Sequence, residues 1–152
     1  MTERLPPKTL KLLTFLRENS REKLTTISKN TRIPISTLFD TLKELQENYI
    51  IKKSTVLLNY EKLGYRTTAL ILFKVDKEQK QKFRDYLGNN SSVNTIFKVN
   101  NDYDLIVETV HKNIRELDNF LECLNKNFNI QKQYIHYLID EIKREGFVLG
   151  EQ

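Results

Sequence analysis

The stretch Thr67-Thr68-Ala69-Leu70-Ile71-Leu72-Phe73-Lys74-Val75 decides the fold. It reads as a β-strand that is apolar on both faces, with Ala69, Ile71, Phe73 and Val75 on one and Leu70 and Leu72 on the other. Working towards the C-terminus, Lys77 to Gly88 has helical spacing, with Phe83 and Leu87 inward and Gly88 as a natural stop. Val93 to Val99 reads as a strand, Asn100-Asn101-Asp102 as a turn, and Tyr103 to Val110 as a strand. Ile114, Leu117, Phe120, Leu121, Leu124 and Phe128 mark a second helix. Gln131 to Ile139 then makes a last strand, and Asp140 to Glu145 a short helical turn. The order is β-α-β-β-α-β, a ferredoxin-like α+β arrangement with both helices on one face of an antiparallel sheet. Two helices leave the other face open. Its Leu70, Leu72, Ile106 and Leu138 call for a cover, and a second copy of the domain is the simplest one.

Before residue 65 the period is helical. Pro7 suits the first turn of a helix carrying Leu10, Leu13 and Leu16 and ending near Asn19-Ser20. A short helix opens near Leu24 with a threonine as N-cap and runs to about Thr31. After Ile33-Pro34-Ile35 a third helix begins at Pro34 or Ser36, with Leu38, Leu42 and Leu45 as its buried stripe. A tight connection before the third helix is what a helix-turn-helix requires, although any small three-helix bundle would give the same pattern. Tyr49 to Asn59, rich in β-branched residues, reads as an extended wing or interdomain strand, and Gly64 closes the connection. The expected organisation is a helix-turn-helix (winged-helix-like) domain over 1–52, an extended linker strand over 53–64 and a ferredoxin-like domain over 65–152.

Charge separates the two halves. Residues 1–64 hold 12 Lys/Arg against 7 Asp/Glu, whereas residues 65–152 hold 13 against 13, so the formal +5 lies entirely in the first half. A basic head on a neutral body points to an anionic partner for the head, with a merely lysine-rich surface as the alternative. No apolar run approaches the roughly 20 residues that span a bilayer, and the start lacks the apolar core of a signal peptide. The lone Cys123, expected in the core, permits no internal disulfide and fits a reducing cytoplasm. No cofactor is expected. There is no glycine-rich phosphate loop, no nucleophile beside a base, and no Cys/His spacing suited to a metal.

Three marks in order give the chain a resemblance to the Lrp/AsnC (feast/famine) regulators over about residues 8 to 146. They are Ser36-Thr37-Leu38 through Leu42-Lys43-Glu44-Leu45, the junction Leu57-Leu58-Asn59-Tyr60-Glu61-Lys62-Leu63-Gly64-Tyr65, and the turn Asn101-Asp102-Tyr103-Asp104-Leu105. The last matches the family's Gly-Asp-Tyr-Asp motif, with Asn101 at the glycine. Asn tolerates the left-handed conformation better than most residues. The family often carries basic residues on the exposed face of its recognition helix, where this chain has Phe39-Asp40-Thr41.

The resemblance implies a DNA-binding transcription regulator, dimeric or higher, modulated by an amino acid or related small molecule. On helix three, a 100° wheel exposes Ser36, Thr37, Asp40, Lys43, Glu44 and Glu47. Ser36 and Thr37 are expected to approach the bases of double-stranded DNA, and Asp40 can accept from a cytosine amine. Lys29, Arg32, Lys43, Lys52 and Lys53 are the expected phosphate contacts. By resemblance, Asp104, His136 and Tyr137 lie near the effector site. Backbone N–H groups around Asn101 and Asp102 could receive a ligand carboxylate. His111 is assigned no role. Two other readings stay open: an enzyme resembling the siroheme decarboxylases, which share both domains, and a partner protein that has lost DNA binding.

Overall fold

The computed structural model describes residues 5–147. The chain divides into two compact units, one of Met1–Leu57 with Lys143–Gln152 and the other of Leu58–Ile142.

The first unit holds three helices: α1 (Pro7–Glu18), α2 (Leu24–Thr31) and α3 (Ile35–Glu47). Pro7 occupies the first turn of α1, where its missing N–H costs nothing. Leu12, Leu13, Ile27, Leu38 and Leu45 form the core, with Leu24 and Leu42 packed partly against it. Each fully buried leucine contributes about 1.5–3 kcal/mol relative to exposure. The N-cap of α2 is Lys23 rather than the expected threonine, and no side chain caps it. Leu24 packs on the core, so the helix begins with it and leaves Thr25 and Thr26 inside the first turn. The α2–α3 connection is tight. Arg32 turns left-handed at φ 59°, and the Ser28 hydroxyl donates to the Ile33 carbonyl at 2.6 Å. Residues 143–147, near the C-terminal end of the described chain, pack here, where Arg17 donates to the carbonyls of Glu145 and Phe147.

The end of α3 is a Schellman closure. Ile50 N–H donates to the Leu45 carbonyl at 2.9 Å and Tyr49 N–H to Gln46 at 3.1 Å, with Tyr49 at φ 55° where glycine is usual. The strand expected within 53–64 does not form: residues 52–58 run without regular structure, and a 3-10 turn spans Glu61–Leu63. Its β-branched residues favour extended backbone, but among the described residues no strand pairs with it.

The second unit is a four-stranded antiparallel sheet of β1 (Thr67–Val75), β2 (Val93–Lys98), β3 (Leu105–His111) and β4 (Ile130–Tyr137) in the order β2-β3-β1-β4. Helices α4 (Lys80–Gly88, after a 3-10 turn at Lys77–Gln79) and α5 (Ile114–Asn127) complete the expected β-α-β-β-α-β. Ala69, Ile71, Phe73 and Val75 are buried with Phe83, Leu87, Leu117 and Leu124, and Phe83 meets Phe73 and Phe128 edge-on at 5.2 and 5.0 Å. The Asn113 side chain caps α5 by accepting from Glu116 N–H at 3.0 Å, while the Glu116 carboxylate accepts from Lys112 N–H at 2.9 Å. His111 is buried against Phe120, and that burial pushes its imidazole below the ordinary pKa despite the nearby Glu116.

Several local expectations fail here. Residues 140–145 form bends instead of a helical turn. Gly88 is the last helical residue and does not turn left-handed; Asn89 caps the helix in ordinary right-handed geometry. Cys123 is exposed rather than in the core, because the inward stripe of α5 is Leu117, Phe120, Leu121 and Leu124. Its Sγ lies 3.3 Å from the Tyr86 hydroxyl. Ile114, at the first turn of α5, is exposed as well.

Tyr49→Gly keeps the Schellman hydrogen bonds and removes the left-handed penalty of a bulky residue, offset in part by glycine's greater unfolded-state entropy. Urea unfolding is expected to show a gain of about 0.5–1 kcal/mol. A loss of stability would show that the tyrosine ring contributes contacts worth more than the strain.

Candidate functional site

Two surfaces carry the candidate residues, one in each unit. On the first, α3 exposes Ser36, Asp40, Lys43, Glu44 and Glu47 as the wheel requires. Thr37 is half-buried, because it stacks one turn before the buried Thr41, whose hydroxyl donates to the Thr37 carbonyl at 2.8 Å. Lys43 reaches Glu47 at 3.8 Å, a solvent-exposed i,i+4 pair of small energetic weight. Lys29, Arg32, Lys52 and Lys53 are exposed and make no ion pair among the described residues. The helix also exposes two apolar side chains that the wheel did not single out, Ile35 at 47% and Phe39 at 59%. They lie one turn apart, beside rather than on the stripe of Leu38, Leu42 and Leu45.

On the second unit, the turn between β2 and β3 is built as its sequence requires. Asn101 takes φ 68°, the left-handed position expected of it. Val99 N–H donates to the Asp104 carbonyl at 3.0 Å, and Asp104 N–H donates to the Phe73 carbonyl at 2.8 Å, which ties the turn to the end of β1. The Asp104 carboxylate accepts from Val75 N–H at 3.1 Å and from the Lys80 ammonium at 2.5 Å. Partial burial pushes this carboxyl up, but the Lys80 bond, the Val75 N–H and the charges of Lys80 and Lys74 outweigh it, so its pKa lies below the ordinary value. Asp102 is exposed and pairs with Lys132 of β4 at 3.4 Å. Beside Asp104 lies a shallow pocket of about 160 Å³, lined by Val75, Lys80, Arg84, Lys98, Asp104 and Leu105.

His136 and Tyr137 do not join this cluster within one chain. They stand opposite Leu70 and Ala69 in the register, whereas Asp104 bonds to Phe73 and Val75. At about 3.3 Å per residue that separates His136 from the turn by roughly 10 Å or more along the strand. Instead His136 meets the Tyr134 ring at 4.7 Å. The pocket's cations Lys80, Arg84 and Lys98 were not singled out from the sequence. Only the i,i+4 spacing of Lys80 and Arg84 hinted that two of them share a helix face.

Residues 68–147, just over half of the 152, match the Lrp/AsnC ligand binding domain. The chain belongs to the Lrp/AsnC family. It is 34% identical to the HTH-type transcriptional regulator FL11 of Pyrococcus furiosus over 114 residues, covering 75% of this chain and 76% of that one. A second regulator of the same organism, described as an uncharacterized HTH-type transcriptional regulator, is 27% identical over 135 residues, 89% of this chain and 91% of the relative. Among solved structures, a transcriptional regulator from Neisseria meningitidis in complex with L-Met covers 97% of both chains with a TM-score of 0.87 at 19% identity. E. coli AsnC covers 93% of this chain and 96% of its own with a TM-score of 0.83 at 14% identity. These two likenesses establish the fold: a three-helix region and a β-α-β-β-α-β sheet domain. The Lrp/AsnC protein described here is thus an HTH-type transcriptional regulator with a ligand-binding domain. The relatives it matches are HTH-type transcriptional regulators and not enzymes, which tells against a siroheme-decarboxylase-like activity. Among the described residues no helix is long and apolar enough to cross a membrane.

Lys80→Met removes the main partner that lowers the Asp104 carboxyl while leaving its burial in place. NMR titration of the side-chain carboxyl is expected to show the Asp104 pKa rising in the variant. The sign for stability follows. A depressed carboxyl stabilises the fold above its unfolded pKa and loses that contribution as pH falls through the folded value. The acid-side loss of stability is therefore smaller in Lys80→Met. An unchanged Asp104 titration would mean that Lys80 is not its controlling partner in solution.

Proposed function

We propose that this regulator binds double-stranded DNA sequence-specifically as a dimer or larger assembly in the cytoplasm, and that an amino acid or related small molecule at the Asp104 turn modulates it. What carries the DNA part is the set of exposed cations Lys29, Arg32, Lys52 and Lys53, which make no ion pair among the described residues, in the half of the chain that holds the entire formal +5. Lysines and arginines of this kind bind phosphate and release counterions, which gives affinity without sequence preference. Preference then falls to α3, whose N-terminal residues Ser36 and Thr37 meet base edges, with Asp40 one turn on and Lys43 held partly by Glu47.

Dimerisation is supported by the open face of the sheet. Phe97, Ile106, Leu72 and Tyr134 lie in one register row across all four strands. Phe97 and Tyr134 are more than half exposed, an apolar row that a second sheet would bury. The next row holds Glu108, which accepts from Asn94 and Thr95 and so sits on the same face with its charge hydrogen-bonded. For the effector, support comes from the match to a ligand-binding domain and from the neighbour solved with L-Met, together with the Asp104 carboxylate that the turn holds at the mouth of the pocket. His136 and Tyr137 enter such a site only if another chain supplies them.

Two measurements test this. Selection of bound fragments from genomic DNA, repeated across salt concentrations, is expected to yield sites with approximate two-fold symmetry. Replacing Lys52 and Lys53 together with glutamine should reduce the slope of log affinity on log salt by about 2 without altering preference. Ser36→Ala should alter preference instead. Failure of the unaltered protein to select any fragment would favour a partner protein that has lost DNA binding. In light scattering, Leu72→Asp is expected to dissociate the dimer, because assembly would bury an unpaired charge. A Leu72→Asp protein that remains dimeric would move the interface elsewhere.

A further inference from the structure

We infer that the pocket beside Asp104 takes a small ligand bearing two carboxylates, an acidic amino acid or a dicarboxylic acid of similar length. The inference rests on the proposal that the Asp104 turn holds the effector, and it names the effector's charge class.

The argument is one of uncompensated charge. Three cations line the pocket, Lys80, Arg84 and Lys98, against one carboxylate, Asp104, an excess of two positive charges. Asp104 is committed to Lys80. Arg84 donates only to the neutral Gln81 side chain, at 2.6 Å, and Lys98 makes no ion pair among the described residues. This gathering is not forced by composition, since residues 65–152 carry 13 cationic and 13 acidic groups. The fold produces it by bringing α4, the end of β2 and the start of β3 together. Lys80 and Arg84 are one turn apart on α4, and Lys98 stands opposite Leu105 in the β2–β3 register.

Charge bookkeeping separates the ligand classes. An amino acid with a neutral side chain arrives as a zwitterion and leaves both excess charges in place. An acidic amino acid brings a net −1 and a dicarboxylic acid −2, which approach or complete neutrality. Arg84 offers a planar fork suited to one carboxylate, and Lys98 a mobile point charge for the other. Val75 and Leu105 give the pocket an apolar floor that suits a methylene stem between them. A ligand ammonium has Asp104 as its carboxylate partner, shared with Lys80, whereas a dicarboxylic acid leaves that pair undisturbed.

Titration calorimetry on the full-length protein decides the matter, using L-glutamate, L-aspartate, glutarate, L-glutamine and inorganic phosphate. The expected result is that glutamate, aspartate or glutarate binds about tenfold or more tighter than glutamine, a difference of one charge-assisted hydrogen bond. Lys98→Met and Arg84→Gln, both at exposed positions, should each weaken that binding about tenfold, with circular dichroism unchanged. Glutarate binding as well as glutamate assigns the dicarboxylic acid; glutamate binding better assigns the amino acid. Glutamine equal to glutamate, phosphate stronger than either, or binding indifferent to both variants overturns the inference. If a neutral amino acid binds and Asp104→Asn abolishes it, the effector site stands at the turn and the acidic class is wrong. If glutamate, aspartate, glutarate and glutamine all fail to bind, the acidic class is wrong, and titration with the remaining amino acids then tests the effector reading by itself.

Discussion

The sheet domain depends on β1 being hydrogen-bonded along both edges. It pairs with β3 from Thr67 to Phe73 and with β4 from Ala69 to Val75, so its backbone groups are satisfied from both sides. That central place lets Ala69, Ile71, Phe73 and Val75 be buried under α4 and α5 while Leu70 and Leu72 face the other way. It also fixes the functional turn. Because Phe73 and Val75 bond to Asp104, the carboxylate is held by the strand on which the core is built. A disturbance of that core would displace the site.

Electrostatics is organised differently in the two halves. In the first, the excess of positive charge is spread over exposed side chains, without ion pairs among the described residues, around α2, its following turn and the segment after α3. In the second, the net charge is zero, and the pattern lies in how pairs are drawn. Asp104 with Lys80 and Asp102 with Lys132 satisfy the acids of the turn and leave Arg84 and Lys98 with none. The solvent-exposed Asp102–Lys132 pair adds little to stability, whereas the partly buried Asp104–Lys80 pair both steadies the turn and sets the charge of the surface beside it.

Four non-glycine residues turn left-handed among the described residues: Arg32 between α2 and α3, Tyr49 after α3, Asn101 in the β2–β3 turn, and Glu145 after β4. Asn101 is the mild case, since a short polar side chain tolerates the conformation. Arg32 and Tyr49 carry the larger steric cost, and both flank the helix that presents Ser36 and Asp40.

The sequence by itself determined the elements and their order. The two-sided apolar strand at 67–75, the stripes of α3 and α5 and the turn at 100–102 are local patterns, set by periods of 2 and 3.6 residues that survive without knowledge of neighbours. It also determined the charge asymmetry, which is a count. Local pattern failed where an element needs something distant. The β-branched run after Tyr49 found no strand to pair with among the described residues, and Cys123 lay just off a stripe whose direction only the packed sheet defines. The separation of His136 from Asp104 and the meeting of Lys80, Arg84 and Lys98 were decided by tertiary structure alone. Strand register and helix placement bring together or part residues many positions apart, and no spacing along the chain records which.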